Sequence, residues 1–498
     1  MIEIILDNSV RFKTEYLEKN KPDLLDKLIQ RFTYDNPKYL ENDKWGYSNQ
    51  KVDRYLFSYS FDDSNGVITF TRGLYKYILR QFNVHSIPYK VKDKTLLLSE
   101  VDYSQSKVTC RPEQLDFSKA LIKAKSGIAL AFTSFGKSLT VLETIALVKQ
   151  KAVIVVHTEF LQKQWIKEAT DSNLFNLDKS RIGGCGGVFR GKARLGDINI
   201  CLYHSLGTPS NLRLFKDSVG VIVADETQKL AIDAMHGSVN FFPAKYRWGV
   251  SANHTRKDKK EFLIEDTLGE VVYNAEEVDG DSKILADIHL LSTEYRDYDY
   301  EFDHQYSNLI TRMSLDKTRN TNILRRVVKQ VNNGLQCMIL VERKEQACLL
   351  TSALTKKGIK TALLIGPLSK KSIKQFKSKA AQKVALEYDD KKAYDYVKKN
   401  AEAKKIQVII GTQKAEVGLS VRTLNFGIVT TPMGSNVKDR LNQIVGRFER
   451  THGSDLEKKY GVKPRPVVEL LIDDKIRSFK RHRKAIKDFY GDRCYKIK

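Results

Sequence analysis

No two cysteines in this chain stand in a C-x-x-C spacing: Cys110, Cys185, Cys201, Cys337, Cys348 and Cys494 are scattered through 498 residues. Neither a zinc knuckle nor a disulfide framework is indicated, and the six read as reduced thiols. Also missing is any run of about 18 apolar residues, so no membrane-spanning helix is expected. The opening Met1-Ile2-Glu3-Ile4-Ile5-Leu6-Asp7 turns polar too early for a secretory leader. The expected compartment is the cytoplasm. Acidic residues are in short supply, with 60 Asp and Glu against 85 Lys and Arg and a formal charge of +25. A polyanion is the simplest partner for such an excess. A lysine-rich proteome produces the same bias, so charge supports a nucleic-acid partner without proving one.

What is present is enough apolar residue, 41%, for a globular chain with a mean hydropathy of -0.41. The length calls for two or three domains of roughly 100–200 residues each. From about Ile128 to Val250 short β-branched runs alternate with helical segments, which is the pattern of a parallel sheet covered by helices. The expected strands are Ile128–Ala131, Ala152–Val156, Ile198–Leu202, Val219–Ala224 and Tyr246–Val250. A second alternation places strands at Cys337–Val341, Thr361–Ile365, Val408–Ile410, Phe426–Val429 and Val467–Leu471. The fold class is therefore α/β, with two parallel-sheet lobes at 106–285 and 286–498. Before them, residues 1–105 read as a small α+β accessory domain, with aromatic-rich strands at Tyr55–Phe61 and Gly66–Phe70 and a helix near Leu74–Phe82. The acidic, tyrosine-rich stretch around Tyr295–Tyr306 looks like the connection between the lobes. A lysine-dense insertion near 370–405 reads either as a solvated helix face or as a basic arm for a nucleic-acid backbone.

Three clusters carry chemistry. Ala131-Phe132-Thr133-Ser134-Phe135-Gly136-Lys137-Ser138 fits a P-loop with alanine in its first position, placed between an apolar strand and a helix. Backbone N–H groups of Thr133, Ser134, Phe135 and Gly136 would cradle the phosphates of ATP. Lys137 would reach its terminal phosphates, and Ser138 would ligate Mg²⁺. Val221-Ile222-Val223-Ala224-Asp225-Glu226 is a buried strand ending in adjacent carboxylates. Asp225 suits the metal, largely through water, and Glu226 suits the base that activates water. Downstream, Gln443, Arg447 and Arg450 recur at helical spacing, with both arginines expected on one helix face. They would stabilise the transferring phosphoryl group.

In this order the motifs resemble superfamily 2 helicases and translocases, and within them the group joining phage UvsW-type branch-remodelling helicases with XPB-like enzymes. The resemblance spans roughly residues 105–490 and implies RecA-like lobes. It implies that Arg111 and Gln114 of Arg111-Pro112-Glu113-Gln114 form the adenine-reading Q motif. It further implies that Thr158, His204, Ser205, Arg343 and Thr412 touch the nucleic-acid backbone, that Gly418 contacts nucleotide, and that Gly249-Val250-Ser251-Ala252-Asn253 couples the ATP site to the nucleic-acid groove. Asp63 and Gly66 to Leu74 resemble an element ahead of the motor, with Arg72 on nucleic acid. Three positions depart from the pattern: Gln228 stands where many relatives have histidine, Asn253-His254 where threonine and proline are common, and Ser420 where an aspartate often contacts nucleotide.

The implied activity is a nucleic-acid-stimulated ATPase acting on branched DNA in replication, recombination or repair, from a phage-like source, with RNA in hybrids as a further partner and no membrane. An RNA helicase, or the motor subunit of a restriction or defence complex, shares the same motifs. A catalytically weak binding or annealing scaffold is the remaining alternative.

Overall fold

The computed structural model describes residues 1–132, 135–229, 238–252, 259–275, 284–298, 305–412, 421–430 and 437–497. Two compact units divide the chain, Met1–Asp279 and Gly280–Lys498. No helix among the described residues is long and apolar enough to cross a membrane. All six cysteines are unbridged.

The first unit contains two main sheets. Its amino-terminal sheet runs Tyr59–Asp62, Val67–Thr71, Ser9–Lys13, Ile2–Leu6, Tyr89–Asp93. Ile2–Leu6 pairs in parallel with Tyr89–Asp93, while the other pairs are antiparallel. The strand Ser9–Lys13 alternates buried and outward residues, as expected of a sheet with one covered face. Its inward Val10 and Phe12 pack with Phe70, Leu28, Ile78 and Phe82 from neighbouring strands and helices. This is the small α+β region expected ahead of the motor.

The larger sheet of that unit has the order Phe189–Arg194, Ile182–Gly186, Ile198–Leu202, Ala152–Val156, Val221–Asp225, Tyr246–Ser251, Ser126–Leu130, Val271–Asn274. All its ladders are parallel except the outermost, Phe189–Arg194 on Ile182–Gly186. Its central strands are buried on both faces, which is why Ala152–Val156 and Val221–Asp225 are uninterrupted apolar runs up to Asp225. The second unit holds a parallel sheet in the order Thr361–Leu364, Val408–Gly411, Cys337–Leu340, Phe426–Val429, Val467–Ile472, Asp287–Ser292, Cys494–Ile497, with one apolar cluster on each face.

All ten strands expected in the two lobes are present, to within about two residues at their ends. Others were hidden from the pattern. Ile182–Gly186 is three-fifths glycine, and a Cβ on Gly183 would lie 2.1 Å from Asn199 Oδ1 and 2.4 Å from Gly196 N. Close backbone approach demands the glycines that mask the strand. The connection expected at Tyr295–Tyr306 is corrected: Asp287–Ser292 already pairs with Val467–Ile472, so those residues follow a strand of the second unit.

The accessory sheet is docked on the larger sheet's domain through buried polar contacts. The Arg72 guanidinium donates to the carbonyls of Ala244 and Lys245. Arg247, fully buried, donates to the carbonyls of Asn8, Phe242 and Thr267. Asp266 accepts from Tyr34 Oη at 2.8 Å and Ser58 Oγ at 2.6 Å. A Cβ on Gly73 would meet Glu265 O at 2.3 Å, so that contact requires glycine.

Arg72 was expected on nucleic acid, and the structure corrects this: the side chain is 3% exposed and its donors are spent on protein carbonyls. Burial pushes its pKa down to about 10, still far above neutrality. Arg72→Ala strands two buried carbonyls and should cost roughly 2–4 kcal/mol of stability. Urea unfolding checks this. Nucleic-acid affinity of the folded variant should stay within about twofold of the parent, since a buried side chain adds nothing to phosphate contacts.

Candidate functional site

Successive strands of a parallel sheet end on one edge, and the loops that follow them are the usual ligand-bearing elements. Lys137 follows Ser126–Leu130, Thr158 follows Ala152–Val156, His204 follows Ile198–Leu202, and Glu226 follows Val221–Asp225. Ser251 closes Tyr246–Ser251. The sheet register therefore gathers these positions along one carboxyl edge.

The loop between Ser126–Leu130 and the helix Lys137–Val148 turns at Gly136, whose φ of +85° lies in the left-handed region. A Cβ there would come within 2.8 Å of Gln114 Nε2. Lys137 Nζ donates to Ala131 O at 3.0 Å, folding the ammonium back over the loop. Gln114 Nε2 and an Arg111 terminal nitrogen both donate to Phe135 O, at 2.7 and 2.9 Å. Gln114 Oε1 in turn accepts from Arg111 N at 2.9 Å, at the start of the helix Pro112–Ala124. The Arg111 and Gln114 side chains thus hold the backbone of the loop before Lys137 directly. Phe135 offers only its main chain to a ligand, because its ring is buried against Phe117, Phe132 and Tyr273. Thr133 and Ser134 lie outside the described residues.

At the centre of the sheet, Asp225 is 6% exposed and accepts from Trp165 Nε1 at 2.8 Å. Burial raises its pKa to about 7, the Glu226 charge adds to this, and the Trp165 bond and Lys137 oppose it. Protonation therefore competes with a cation for this carboxylate. Glu226 lies just past the strand with φ +52°, unusual for a residue with a side chain. Gln228 Nε2 donates to Glu226 Oε2 at 2.5 Å. Ser251 Oγ donates to Gln228 Oε1. The glutamine that replaces histidine therefore ties the carboxylate pair to the next strand. Asn253 and His254 lie outside the described residues.

Trp165 stands seven residues after Thr158, in a segment resembling the same nucleic-acid motif, and its sequence gives no sign of a role at the carboxylates. Its partner sits 60 residues away, and only the packing of Glu159–Thr170 on the sheet brings the two together. Trp165→Phe keeps the ring volume and removes the donor. Asp225 should then titrate still higher, moving the acid limb of the ATPase pH profile toward alkaline pH by roughly 0.5–1 unit. An unmoved profile in steady-state assays would count against a role for the Trp165 bond.

A cradle that a Cβ would crowd, a lysine over the loop, a serine at the helix start and a carboxylate two strands along the sheet fit a magnesium nucleotide. Of the positions expected on nucleic acid, Thr158 Oγ1 accepts from Leu161 N at 3.2 Å and so caps Glu159–Thr170. His204 is exposed and Ser205 half-buried, on the single turn Tyr203–Leu206. In the second unit Arg343 donates to Thr311 Oγ1 at 3.0 Å and Ser307 O at 2.8 Å, which binds its guanidinium to the helix Tyr306–Leu315. Thr412 is buried just past Val408–Gly411. Gly418 and Ser420 lie outside the described residues.

The expectation of Arg447 and Arg450 on one helix face is corrected. The helix Val437–Phe448 ends between them, where Lys463, 3% exposed, donates through Nζ to Phe448 O at 2.6 Å and Arg450 O at 2.8 Å. Burial and the Arg450 charge push Lys463 down to about 7. Glu449 is held by Arg493 at 2.9 Å and by Ala286 N. Arg447 is buried in the last helical turn and Arg450 half-buried just beyond it. The Gln443 side chain lies outside the described ones.

Residues 107–256 match the ResIII family, described as the res subunit of type III restriction enzymes. Among curated proteins, the chain is 26% identical over 207 residues to the DNA 3'-5' translocase XPB2 of Sulfurisphaera tokodaii, covering 39% of this chain and 45% of that one. It is 23% identical over 407 residues to a putative ATP-dependent RNA helicase of Acanthamoeba polyphaga mimivirus, covering 78% of this chain and 69% of that one. The match to the translocase thus spans less than half of that protein's length. Among solved structures, S. cerevisiae Dbp5 bound to RNA and ADP BeF3 shares the fold at a TM-score of 0.51 and 13% identity, over 80% of this chain and 95% of that one. Ordered motifs, the matched segment and the parallel sheets all agree with superfamily 2 of the helicases and translocases, which the chain resembles.

Proposed function

We propose that this chain is an ATP-dependent translocase that remodels branched DNA such as forks, junctions or R-loops. The observation that carries the reading is the line of Lys137, Asp225, Glu226, Gln228 and Ser251 along one sheet edge, with Gln228 bonded to both Glu226 and Ser251. Bound Mg·ATP supplies the phosphoryl group whose transfer to water releases the free energy. Lys137 would compensate phosphate charge, Ser138 and Asp225 would hold the cation, and Glu226 would take the proton from the attacking water. Arg447 and Arg450 supply positive charge to the transition state. A change at Glu226 passes through Gln228 to the strand ending at Ser251, so nucleotide state and nucleic-acid grip are coupled. Strand contacts go mainly to phosphates, making them insensitive to sequence and weakened by salt.

Steady-state ATPase activity without nucleic acid, with single-stranded DNA, with forked or four-way DNA and with RNA tests the reading. Strong stimulation by branched DNA supports it. Stimulation by RNA alone reassigns the chain as an RNA helicase, the reading favoured by the similarity to the mimivirus protein. Silence on every substrate leaves the scaffold.

A further inference from the structure

The charge excess is not spread evenly. Residues 280–498 hold 45 Lys and Arg against 25 Asp and Glu, a difference of 20, whereas residues 1–279 hold 40 against 35. Within the second unit it concentrates in residues 370–386, which carry Lys370, Lys371, Lys374, Lys377, Lys379 and Lys383 and no acid. All six are exposed, and among the described residues none has an ion-pair partner.

This face is rigidly built. The helix Lys370–Lys374 is capped by Ser369 Oγ, which accepts from Ser372 N at 3.1 Å. Lys379–Glu387 is capped by Ser378 Oγ, which accepts from Ala381 N at 3.2 Å. Ser378 N donates to Glu345 Oε1 at 2.8 Å, pinning the turn between them to the helix Lys344–Thr355. Ile373, Ala381 and Ala385 are buried in the apolar cluster of that sheet face. Spacing of four residues sets Lys370 with Lys374, and Lys379 with Lys383, on the sides left to solvent. Like charges fixed this way repel one another, a cost that a polyanion removes.

Topology supplies the second argument. The segment leaves the carboxyl end of Thr361–Leu364, the strand beside Val408–Gly411, and Thr412 N donates to Leu364 O at 3.2 Å. The lysines therefore follow the same sheet edge as Thr412 and Arg343.

We propose that the lysine face of residues 370–383 is a docking surface for the phosphodiester backbone of nucleic acid, lying beside the strand-end loops of the second unit. The proposal rests on the reading of the chain as a nucleic-acid motor. Its contacts are with phosphates, independent of sequence.

The test uses the full chain and labelled forked DNA and single-stranded RNA, with binding followed by fluorescence anisotropy across a salt series. Lys370→Ala, Lys374→Ala, Lys379→Ala and Lys383→Ala together should weaken binding about tenfold or more near physiological salt. The slope of log affinity against log salt should become shallower by roughly 2–4, at about 0.9 per lost duplex contact. Arginine at the same four positions should preserve both quantities. Lys356→Ala, Lys357→Ala and Lys360→Ala, at the amino end of the same strand, should change the slope far less. ATP hydrolysis without nucleic acid should be unaltered in all variants.

An unchanged slope in the fourfold alanine variant overturns the proposal. So does an equal effect from the amino-end triple, which would make net charge the cause, or equal loss in the arginine variant, which would make structure the cause. A parent chain that binds neither probe sinks the motor reading as well, and is thereby distinguishable.

Discussion

Lys137→Ala is expected to reduce ATP hydrolysis by at least ~100-fold, whichever nucleic acid is supplied. Lys137 opens the helix after the P-loop and bonds back to Ala131 O at 3.0 Å. Its charge also lowers the pKa of Asp225, so the residue acts on both halves of the proposed site. Losing a preorganised charge from a site of this kind typically costs 10²–10³ in turnover. The ammonium lies over a short loop, and alanine favours the helix, so the variant should fold. Steady-state phosphate release, with circular dichroism as a check on folding, measures the result. Turnover near the parent value would refute the assignment of the ATP site.

The second large effect is expected from Arg450→Ala. Arginines that meet a transferring phosphoryl group are worth about 10³–10⁵ in turnover and much less in ground-state binding. The expected split is a fall in kcat of ~10³ with nucleotide affinity within about threefold. A fluorescent nucleotide titration beside the kinetics separates the two. Arg450→Lys should recover little, since a point charge does not reproduce the planar fork. Equal losses in binding and turnover would instead mark Arg450 as a structural residue of the segment that Lys463 braces.

How much of this was legible beforehand depends on the range of the interaction concerned. The ten expected strands were readable because parallel strands covered on both faces are predominantly apolar, and Asp225-Glu226 interrupts such a run where the strand meets the edge. Lys137 and Ser138 were readable because a phosphate cradle is a local backbone device with fixed neighbours. Ile182–Gly186 was not, since its glycines answer to Asn199 and Gly196 across a ladder. The Gln228 bonds were not either, although the departure at that position drew attention to it.

The sequence by itself determined the α/β class, the order of the motifs and the residue types of the ATP site, because each follows from local geometry and a short repeat. Only the tertiary structure decided that Arg72 is a buried dock, that Trp165 serves Asp225, that the helix ends before Arg450, and that six lysines share a braced face with no ion-pair partner among the described residues. Those outcomes turn on which distant carbonyls, carboxylates and apolar surfaces the packing brings within a few ångströms, and no window of sequence contains both partners.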